Sequence, residues 1–564
     1  MYRLILGLIL FYVADGHTQG NYFKNRMEFG YNNIDISFGI INVKPNNEYL
    51  VFGRTRNQSS NDVYGSVMKL DSNGMPIDTF ILGFSQKSIE LKNAFQMPNG
   101  YLVVGQLLDL TITNGFNPYF IRLNDNLDTL WTKKLDFGSD SIAFVSYSIM
   151  CFDSTIATTG IFIDSTGFER ILLLKTDSLG NVYFLKSYGY PNEQQNNYWN
   201  MDQTLDEGFI IAGSSTYFHP LGNGYNKHLA IKTDSLGNLQ WNFPWGRDDN
   251  INGGCRVKTM SDSTIIVYTG TPTSGSPTPN VRWNFRKLRY NMSTVWYVEH
   301  GPDAQNIGSA GMIEMDDTGF VINRSYLNRL WISRYDSDGN ILWSRLNKPS
   351  VSQFFGGGSS IAYIESDGGF AYSGYILPQL SLGDTLTQDI FAIKTNCIGW
   401  ADPPIASATT GSLDNFEVIL ENNSMYFGNV YINWGDGSAD TLYENSDTLI
   451  YHTYPSAGNF SAIVIAEACG DADTMQLNIV SSLVGVSEYE KPKFRVYPNP
   501  AYETLFIHTD NSISDYKINM TDISGKIILR KENMKQINVS GIECGFYFIS
   551  IPELNHSEKV QIIR

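Results

Sequence analysis

The residues best suited to chemistry in this chain are carboxylates and amides set in glycine-rich turns. Asp336-Ser-Asp-Gly-Asn340 alternates oxygen donors much as part of a calcium loop does. It lacks a downstream glutamate to complete the coordination sphere, and it occupies a slot that recurs along the chain. Turn chemistry is therefore the better reading, and calcium is the only cofactor the pattern brings into question. The seven histidines, at 17, 219, 228, 300, 452, 508 and 556, are scattered, with no HExxH or other metal-binding spacing. Neither a GxSxG elbow nor a phosphate-binding loop occurs. Asn196-Asn-Tyr-Trp-Asn200 and His219-Pro-Leu-Gly-Asn-Gly-Tyr225 join aromatic rings to amides. That combination suits carbohydrate binding, but for any single residue an ordinary loop is the better reading. No catalytic or metal-binding residue is assigned.

The elements that would position such groups come from repetition. Lys175-Thr-Asp-Ser-Leu-Gly-Asn181 recurs letter for letter as Lys232-Thr-Asp-Ser-Leu-Gly-Asn238, with looser copies beginning at Lys69, Arg122, Lys287, Arg334 and Lys394. The intervals between these basic residues are 53, 53, 57, 55, 47 and 60, near the upper end of propeller-type periods. A second, apolar phrase precedes each copy, for example Tyr49-Leu-Val-Phe-Gly53 and Phe209-Ile-Ile-Ala-Gly213, mostly after a polar turn such as Asp206-Glu-Gly208. Each repeat divides into four short strands; in the fourth these are Tyr198–Thr204, Gly208–Gly213, His228–Thr233 and Asn238–Phe243. The Asp-Ser-Leu-Gly-Asn stretch is a hairpin turn whose glycine takes a positive φ. An aromatic at a fixed offset (Trp131, Phe184, Trp241, Trp296, Trp343) is placed to pack between neighbouring sheets. Seven four-stranded units without room for crossover helices predict an all-β fold with a seven-bladed β-propeller over 21–400. The last repeat runs out of outer-strand sequence near Trp400. Phe23-Lys-Asn-Arg-Met-Glu-Phe-Gly30 matches Trp131-Thr-Lys-Lys-Leu-Asp-Phe-Gly138 in character, so the N-terminal strand is expected to complete the seventh blade and close the ring.

Bulk properties bound the partners. The chain has 564 residues, 17% of them charged, and a formal charge of −17, which argues against nucleic acid or an anionic membrane as a partner. Arg3, the apolar run Leu4 to Ala14 and the small residues to Gly20 read as an export signal over 1–20. That run is too short to span a bilayer, and no later stretch qualifies as a transmembrane segment. The five cysteines (151, 255, 397, 469, 544) form no CxxC pair. A disulfide framework is not expected, a single bridge such as Cys397 to Cys469 fits an oxidising compartment, and buried thiols are the plainer reading of the rest.

Three resemblances add to this. The Asp…Gly…Trp order of the repeats is similar to the Asp-box of sialidase propellers, but Asp234, Gly237 and Trp241 stand three and four residues apart rather than two and three, and no arginine cluster accompanies them; sialidase chemistry is not implied. Asn433-Trp-Gly-Asp-Gly-Ser438, His452-Thr-Tyr-Pro-Ser-Ala-Gly-Asn-Phe460 and the alternating Ser461–Glu467 resemble the PKD domain, an Ig-like β-sandwich of extracellular proteins, over 401–485. The resemblance implies a spacer or weak binder, with Trp434 and Asp436 serving the fold. Phe494-Arg-Val-Tyr-Pro-Asn-Pro500, Asp522-Ile-Ser-Gly-Lys526, Gly545-Phe-Tyr-Phe-Ile-Ser-Ile551 and Lys559-Val-Gln-Ile-Ile-Arg564 resemble the C-terminal sorting domain read by the type IX secretion system of Bacteroidetes, over 490–564. Cys544 departs from the small or polar residue usual before Gly545. This resemblance implies a small β-sandwich read by the secretion machinery at the outer membrane. Its recognition elements map to Pro498, Asn499, Pro500, Gly525, Lys526, Lys559 and Arg564.

Together these readings predict a secreted or cell-surface protein that passes through the periplasm. They favour a non-enzymatic binding or adhesion protein whose propeller meets an extracellular glycan or protein. The alternative is a polysaccharide-active propeller, a lyase or glycosidase, delivered by the same route; it requires paired carboxylates about 5–10 Å apart in an aromatic-lined channel.

Overall fold

The computed structural model describes residues 22–563 except 30–32, 58–59, 61, 112–114, 139–140, 164, 166, 190–193, 196–198, 219–223, 246–254, 273–280, 303–310, 327–328, 348–353, 378–387, 414–415, 445–446, 482–493, 510–514 and 555. The predicted export signal, Asn196–Tyr198, His219–Asn223 and Arg564 lie outside the described residues.

The fold is all-β. Up to Thr395 the strands among the described residues form seven antiparallel sheets. The first comprises Asn33–Val43, Glu48–Asn57, Val63–Leu70 and Pro76–Leu82; the next five follow in chain order over 87–134, 142–188, 194–245, 255–302 and 312–347. The seventh holds Phe354–Ile364, Gly369–Leu377 and Asp389–Thr395, with Phe23–Met27 paired antiparallel to Asp389–Thr395 as its fourth strand. In the fourth sheet the middle strands are longer than the sequence predicts, Phe209–Phe218 and Gly224–Thr233. Their pairing continues to Phe218↔Gly224, with Thr216, Tyr217, Phe218 and Tyr225 supplying the strand preference in the extension.

The repeated phrases explain the packing. Along Tyr49-Leu-Val-Phe52 the side chains alternate, and both faces are covered: Leu50 and Phe52 pack with the second sheet, Tyr49 and Val51 with the seventh. A strand buried on both faces reads as a continuous apolar run rather than an alternation. The same holds around the chain, with one apolar cluster at each seam between successive sheets and one between the seventh and the first.

In six of the seven copies of the first phrase the opening basic residue pairs with an acid near the turn of the second: Lys69–Glu48, Lys175–Asp153, Lys232–Asp206, Lys287–Asp262, Arg334–Asp317 and Lys394–Asp367. In the second repeat Asn99 stands at that turn, and Arg122 donates to the carbonyls of Pro98 and Tyr101. The hairpin turns follow one plan. Asp234 Oδ1 accepts the N–H groups of Leu236 and Asn238, and Oδ2 accepts Asn238 Nδ2. Asp336 does the same with Asp338 and Asn340, so the oxygens that resemble calcium ligands already hold the turn. The turn glycines have φ near +72° to +85° and lie beneath an aromatic of the preceding sheet: a Cβ on Gly399 would stand 2.5 Å from Trp343, and one on Gly74 2.5 Å from Phe23.

Two sandwiches follow. Ala408–Ser412, Glu417–Asn422 and Leu449–Thr453 face the sheet of Ala439–Tyr443, Asn429–Asn433, Gly458–Ala468 and Asp471–Ser481 around buried Trp434 and Tyr454. Phe494–Tyr497, Thr504–Thr509 and Gln536–Asn538 face Ile527–Glu532, Lys517–Asp522, Gly545–Ile551 and His556–Ile562 across a second core. The first sandwich is tied to the seventh sheet by a disulfide between Cys397 and Cys469. Lys24–Asp402 and Arg345–Glu444 ion pairs flank it. Cys151 and Cys255 are buried free thiols, whereas Cys544 is exposed.

Candidate functional site

The leading strand of each of the seven sheets contributes to one cavity of about 320 Å³, lined by residues 40–41, 93–95, 147–150, 200–202, 256–258, 311–312 and 360–361 with Phe52. The strand register identifies equivalent positions. Asn42, Gln96, Met150, Gln203, Thr259, Glu314 and Tyr363 pair with Tyr49, Tyr101, Ile156, Phe209, Ile265, Phe320 and Phe370, the first or second residue of each apolar phrase. Three residues earlier stand Gly39, Asn93, Tyr147, Asn200, Arg256, Gly311 and Ser360. These seven residues form one layer, and all but Gly39, whose neighbour Ile40 takes its place, line the cavity, with different chemistry from sheet to sheet.

Three members of the layer join neighbouring sheets. Asn93 Oδ1 accepts Ser148 N–H at 2.8 Å, Asn200 Oδ1 accepts Val257 N–H at 3.1 Å, and Ser360 Oγ accepts Ile40 N–H at 2.8 Å. Each acceptor receives the N–H one residue beyond the equivalent position of the next sheet. Gly39 and Gly311 sit where strands close in: a Cβ on Gly39 would meet Ser360 Oγ at 2.5 Å, and one on Gly311 would meet Ile361 N at 2.6 Å. Tyr147 and Arg256 occupy the remaining two positions. The Tyr147 hydroxyl makes no hydrogen bond among the described residues, and burial raises its pKa. Arg256 donates through Nη1 to Cys255 O at 3.3 Å.

One level on, Lys258 Nζ lies 2.8 Å from Asp202 Oδ2. Asp202 also accepts Thr259 N–H at 2.8 Å and Gln203 N–H at 3.0 Å. Burial presses the Lys258 pKa down, but Asp202 more than offsets this and the net shift is upward. Asp202 is thus held by three donors. At the turn end of the ring, Gln96, Gln203 and Glu314 reach back to the preceding sheet, to Lys44 N–H, Phe152 N–H and Ser261 N–H. Sheets 2, 4 and 6 therefore carry the fastening side chain.

Of the layer, Asn200 falls in the aromatic-and-amide stretch Asn196–Asn200 picked out in the sequence, and the other six positions were not singled out. Register shifts fall just ahead of the layer at Ser37/Gly39, Leu91/Asn93, Val145/Tyr147 and Gly357/Ile361. Bulges of this kind re-aim side chains and disturb the period. The signal in the sequence was the polar residue shortly before each apolar phrase.

The residues expected to mark the sorting region divide into two places. Asn499 Nδ2 donates to Lys559 O at 2.9 Å, and its Oδ1 accepts Gln561 N–H at 2.8 Å. Ala501 then continues alongside the final strand, donating to Gln561 O and accepting from Ile563 N–H. Pro498-Asn499-Pro500 and Lys559 are thus brought together, with Lys559 Nζ 4.1 Å above the Phe546 ring. Gly525 and Lys526 lie apart, in the turn joining Lys517–Asp522 to Ile527–Glu532, separated from the final strand by Gly545–Ile551. Gly525 has φ +83° and Asp522 Oδ1 accepts Lys526 N–H, the plan of the ring turns. Among the described residues no group of histidine, cysteine and carboxylate side chains is arranged to hold a metal.

Residues 495–564 match the family model of the secretion system C-terminal sorting domain. That match supports export to the cell surface or into the medium as a substrate of the type IX machinery. Among the described residues no helix is long and apolar enough to cross a membrane. No curated protein matches the chain. Among solved structures, a protein of unknown function from Dyadobacter fermentans overlays at TM-score 0.36, with 8% identity over 65% of this chain and 98% of that one. A polysaccharide lyase, an ulvan lyase, overlays at TM-score 0.39, with 11% identity over 61% and 90%. An α-L-arabinofuranosidase of Fusarium graminearum in complex with arabinobiose overlays at TM-score 0.34, with 12% identity over 64% and 93%.

Proposed function

We propose that this is an exported binding or adhesion protein in which 21–400 form a seven-bladed β-propeller closed by the N-terminal strand. In this reading 1–20 are the export signal and 401–485 a PKD-like spacer. Residues 490–564 are the sorting domain of a type IX substrate, in which Pro498, Asn499, Pro500, Gly525, Lys526, Lys559 and Arg564 are read by the machinery. The observation that carries the binding function is the cavity to which all seven leading strands contribute. Its volume falls at the small end of ligand pockets, roughly 300–1,000 Å³. A two-carboxylate glycosidase needs an acid and a base free to move protons. The carboxylate in the described lining, Asp202, is held by an ammonium and two backbone N–H groups, which supports retention of a ligand over its hydrolysis.

The test is a glycan-array screen of the mature full-length chain, with and without calcium, scoring released product beside retention. Retention without product is the expected result. Turnover at an appreciable rate would overturn the binding reading in favour of the lyase or glycosidase alternative.

A further inference from the structure

The hydrogen bonding of the cavity wall separates groups already engaged from groups left open. The acceptors of the layer, Asn93 Oδ1, Asn200 Oδ1 and Ser360 Oγ, are taken by backbone N–H groups of neighbouring sheets. The Ser360 hydroxyl is itself taken by Ile40 O at 3.3 Å. The charged groups of the described lining are engaged as well. The Asp202 carboxylate holds Lys258 together with the N–H groups of Thr259 and Gln203. Arg256 is engaged with Cys255 O and in a further interaction. What the layer leaves open is neutral: the Asn93 and Asn200 Nδ2 groups and the Tyr147 hydroxyl, none of which has a hydrogen-bond partner among the described residues. These three come from sheets 2, 3 and 4. Sheets 6, 7 and 1 meet the cavity mainly through apolar side chains, Met312, Ile361, Ile40, Ile41 and Phe52.

Such a wall serves an ion poorly. A carboxylate would be desolvated without a cation of its own, and an ammonium without a carboxylate of its own. A neutral ring with hydroxyls along one edge and C–H groups on its face is served well. The amide N–H groups donate to its oxygens, the phenol can donate or accept, and apolar side chains cover the rest. We infer that the cavity binds a single uncharged sugar unit, with Asn93, Tyr147 and Asn200 at its hydroxyl oxygens and the apolar side chains of sheets 6, 7 and 1 along its C–H face. A free monosaccharide and the end of a glycan chain share this chemistry. The inference rests on the reading of the ring as a ligand-binding platform and names the ligand class of that site.

The experiment is isothermal titration of the mature full-length chain with glucose, galactose and mannose, each beside its uronate and its amino sugar. At least one neutral sugar is expected to bind tenfold or more tightly than both of its charged counterparts. Equal affinity for a trisaccharide of that sugar would assign the site to chain ends, and a much weaker trisaccharide to the free sugar. Asn93→Asp and Asn200→Asp keep the oxygen that accepts the neighbouring N–H and replace the open donor by an acceptor; each is expected to weaken the neutral sugar at least tenfold. Tyr147→Phe is expected to weaken it severalfold with little change in circular dichroism, and carries the test should the aspartate variants fail to fold. No binding of any neutral sugar, charged counterparts bound as tightly, or an unchanged affinity in the folded variants would overturn the inference. Glycans retained on the array while all neutral sugars stay silent would sink this inference alone; silence in both would sink the binding reading with it.

Discussion

At the scale of single residues, repetition in this chain marks structure before function. The lysine that opens the repeated phrase is an ion-pair partner, and its worth depends on burial. The Lys232 side chain is 1% exposed and its ammonium meets Asp206, Thr233 O and Gln240 Oε1. Asp206→Ala leaves that ammonium buried without its carboxylate, an expected loss of about 2 kcal/mol. In the corresponding pair Lys175 is 13% exposed against 1% for Lys232, and Asp153 53% against 43% for Asp206, so Asp153→Ala is expected to cost under about 1 kcal/mol because the ammonium left behind reaches water. Urea unfolding of the two variants checks the order; equal losses would mean that burial does not set the strength of these pairs. The turn glycines divide similarly. Gly525→Ala places an L-residue at φ +83° in open space, for about 1 kcal/mol. Gly74→Ala adds a methyl 2.5 Å from Phe23 and is expected to cost about 1–3 kcal/mol more. Thermal melts of the pair read the difference, and a harmless Gly74→Ala would contradict the close packing of the N-terminal strand on the first sheet.

At the scale of elements, the sequence was most legible where a residue's job is local. The hairpin turns, their glycines and the aromatics that cover them follow from turn chemistry within a few residues. The match between Phe23–Gly30 and Trp131–Gly138 reaches further. In the structure Asn25 donates to Gly74 O in the first sheet, as Lys133 meets Asn181 and Arg345 meets Ile398 O in the sheets that follow theirs. The cavity wall was not legible, because Tyr147, Asp202 and Arg256 converge only after seven strands have been brought side by side, and bulges shift their sequence positions.

The first sandwich carries a testable element of its own. Trp434 stacks on His452 with ring centres 4.5 Å apart, and Trp434 Nε1 donates to Asp440. Asp436 is 2.8 Å from His452 Nε2 and accepts the hydroxyl and N–H of Ser438. Partial burial works against its charge, but Ser438 and His452 hold the carboxyl at about 2, below the ordinary 3.8. A depressed carboxylate stabilises the fold above its unfolded pKa and loses that contribution as pH falls through the folded one. Stability of this sandwich should therefore drop between pH 4 and pH 2, by on the order of 1 kcal/mol after screening. Asp436→Asn should flatten that part of the pH profile. A wild-type curve flat over this window, or an unchanged slope in the variant, would show that Asp436 is not the titrating group.

At the scale of the whole molecule, three β-units share one chain but differ in what they need from it. The ring has a separate apolar cluster at each seam. The sandwich beside it is joined by the Cys397–Cys469 bridge, which suits an oxidising destination, and by the Lys24–Asp402 and Arg345–Glu444 pairs. The last unit is organised around its own end: Asn499 fastens the opening Pro-Asn-Pro segment to the final strand beside Lys559, while Gly525 and Lys526 stand apart. In this account the tail is an address that acts independently of the ligand carried by the ring. The direct measurement is the location of the full chain and of a chain ending at residue 489, followed by surface labelling and fractionation in a host with the type IX machinery. The full chain is expected at the surface or in the medium, and the truncated chain in the periplasm with its ring folded. Unchanged export of the truncated chain would contradict the account.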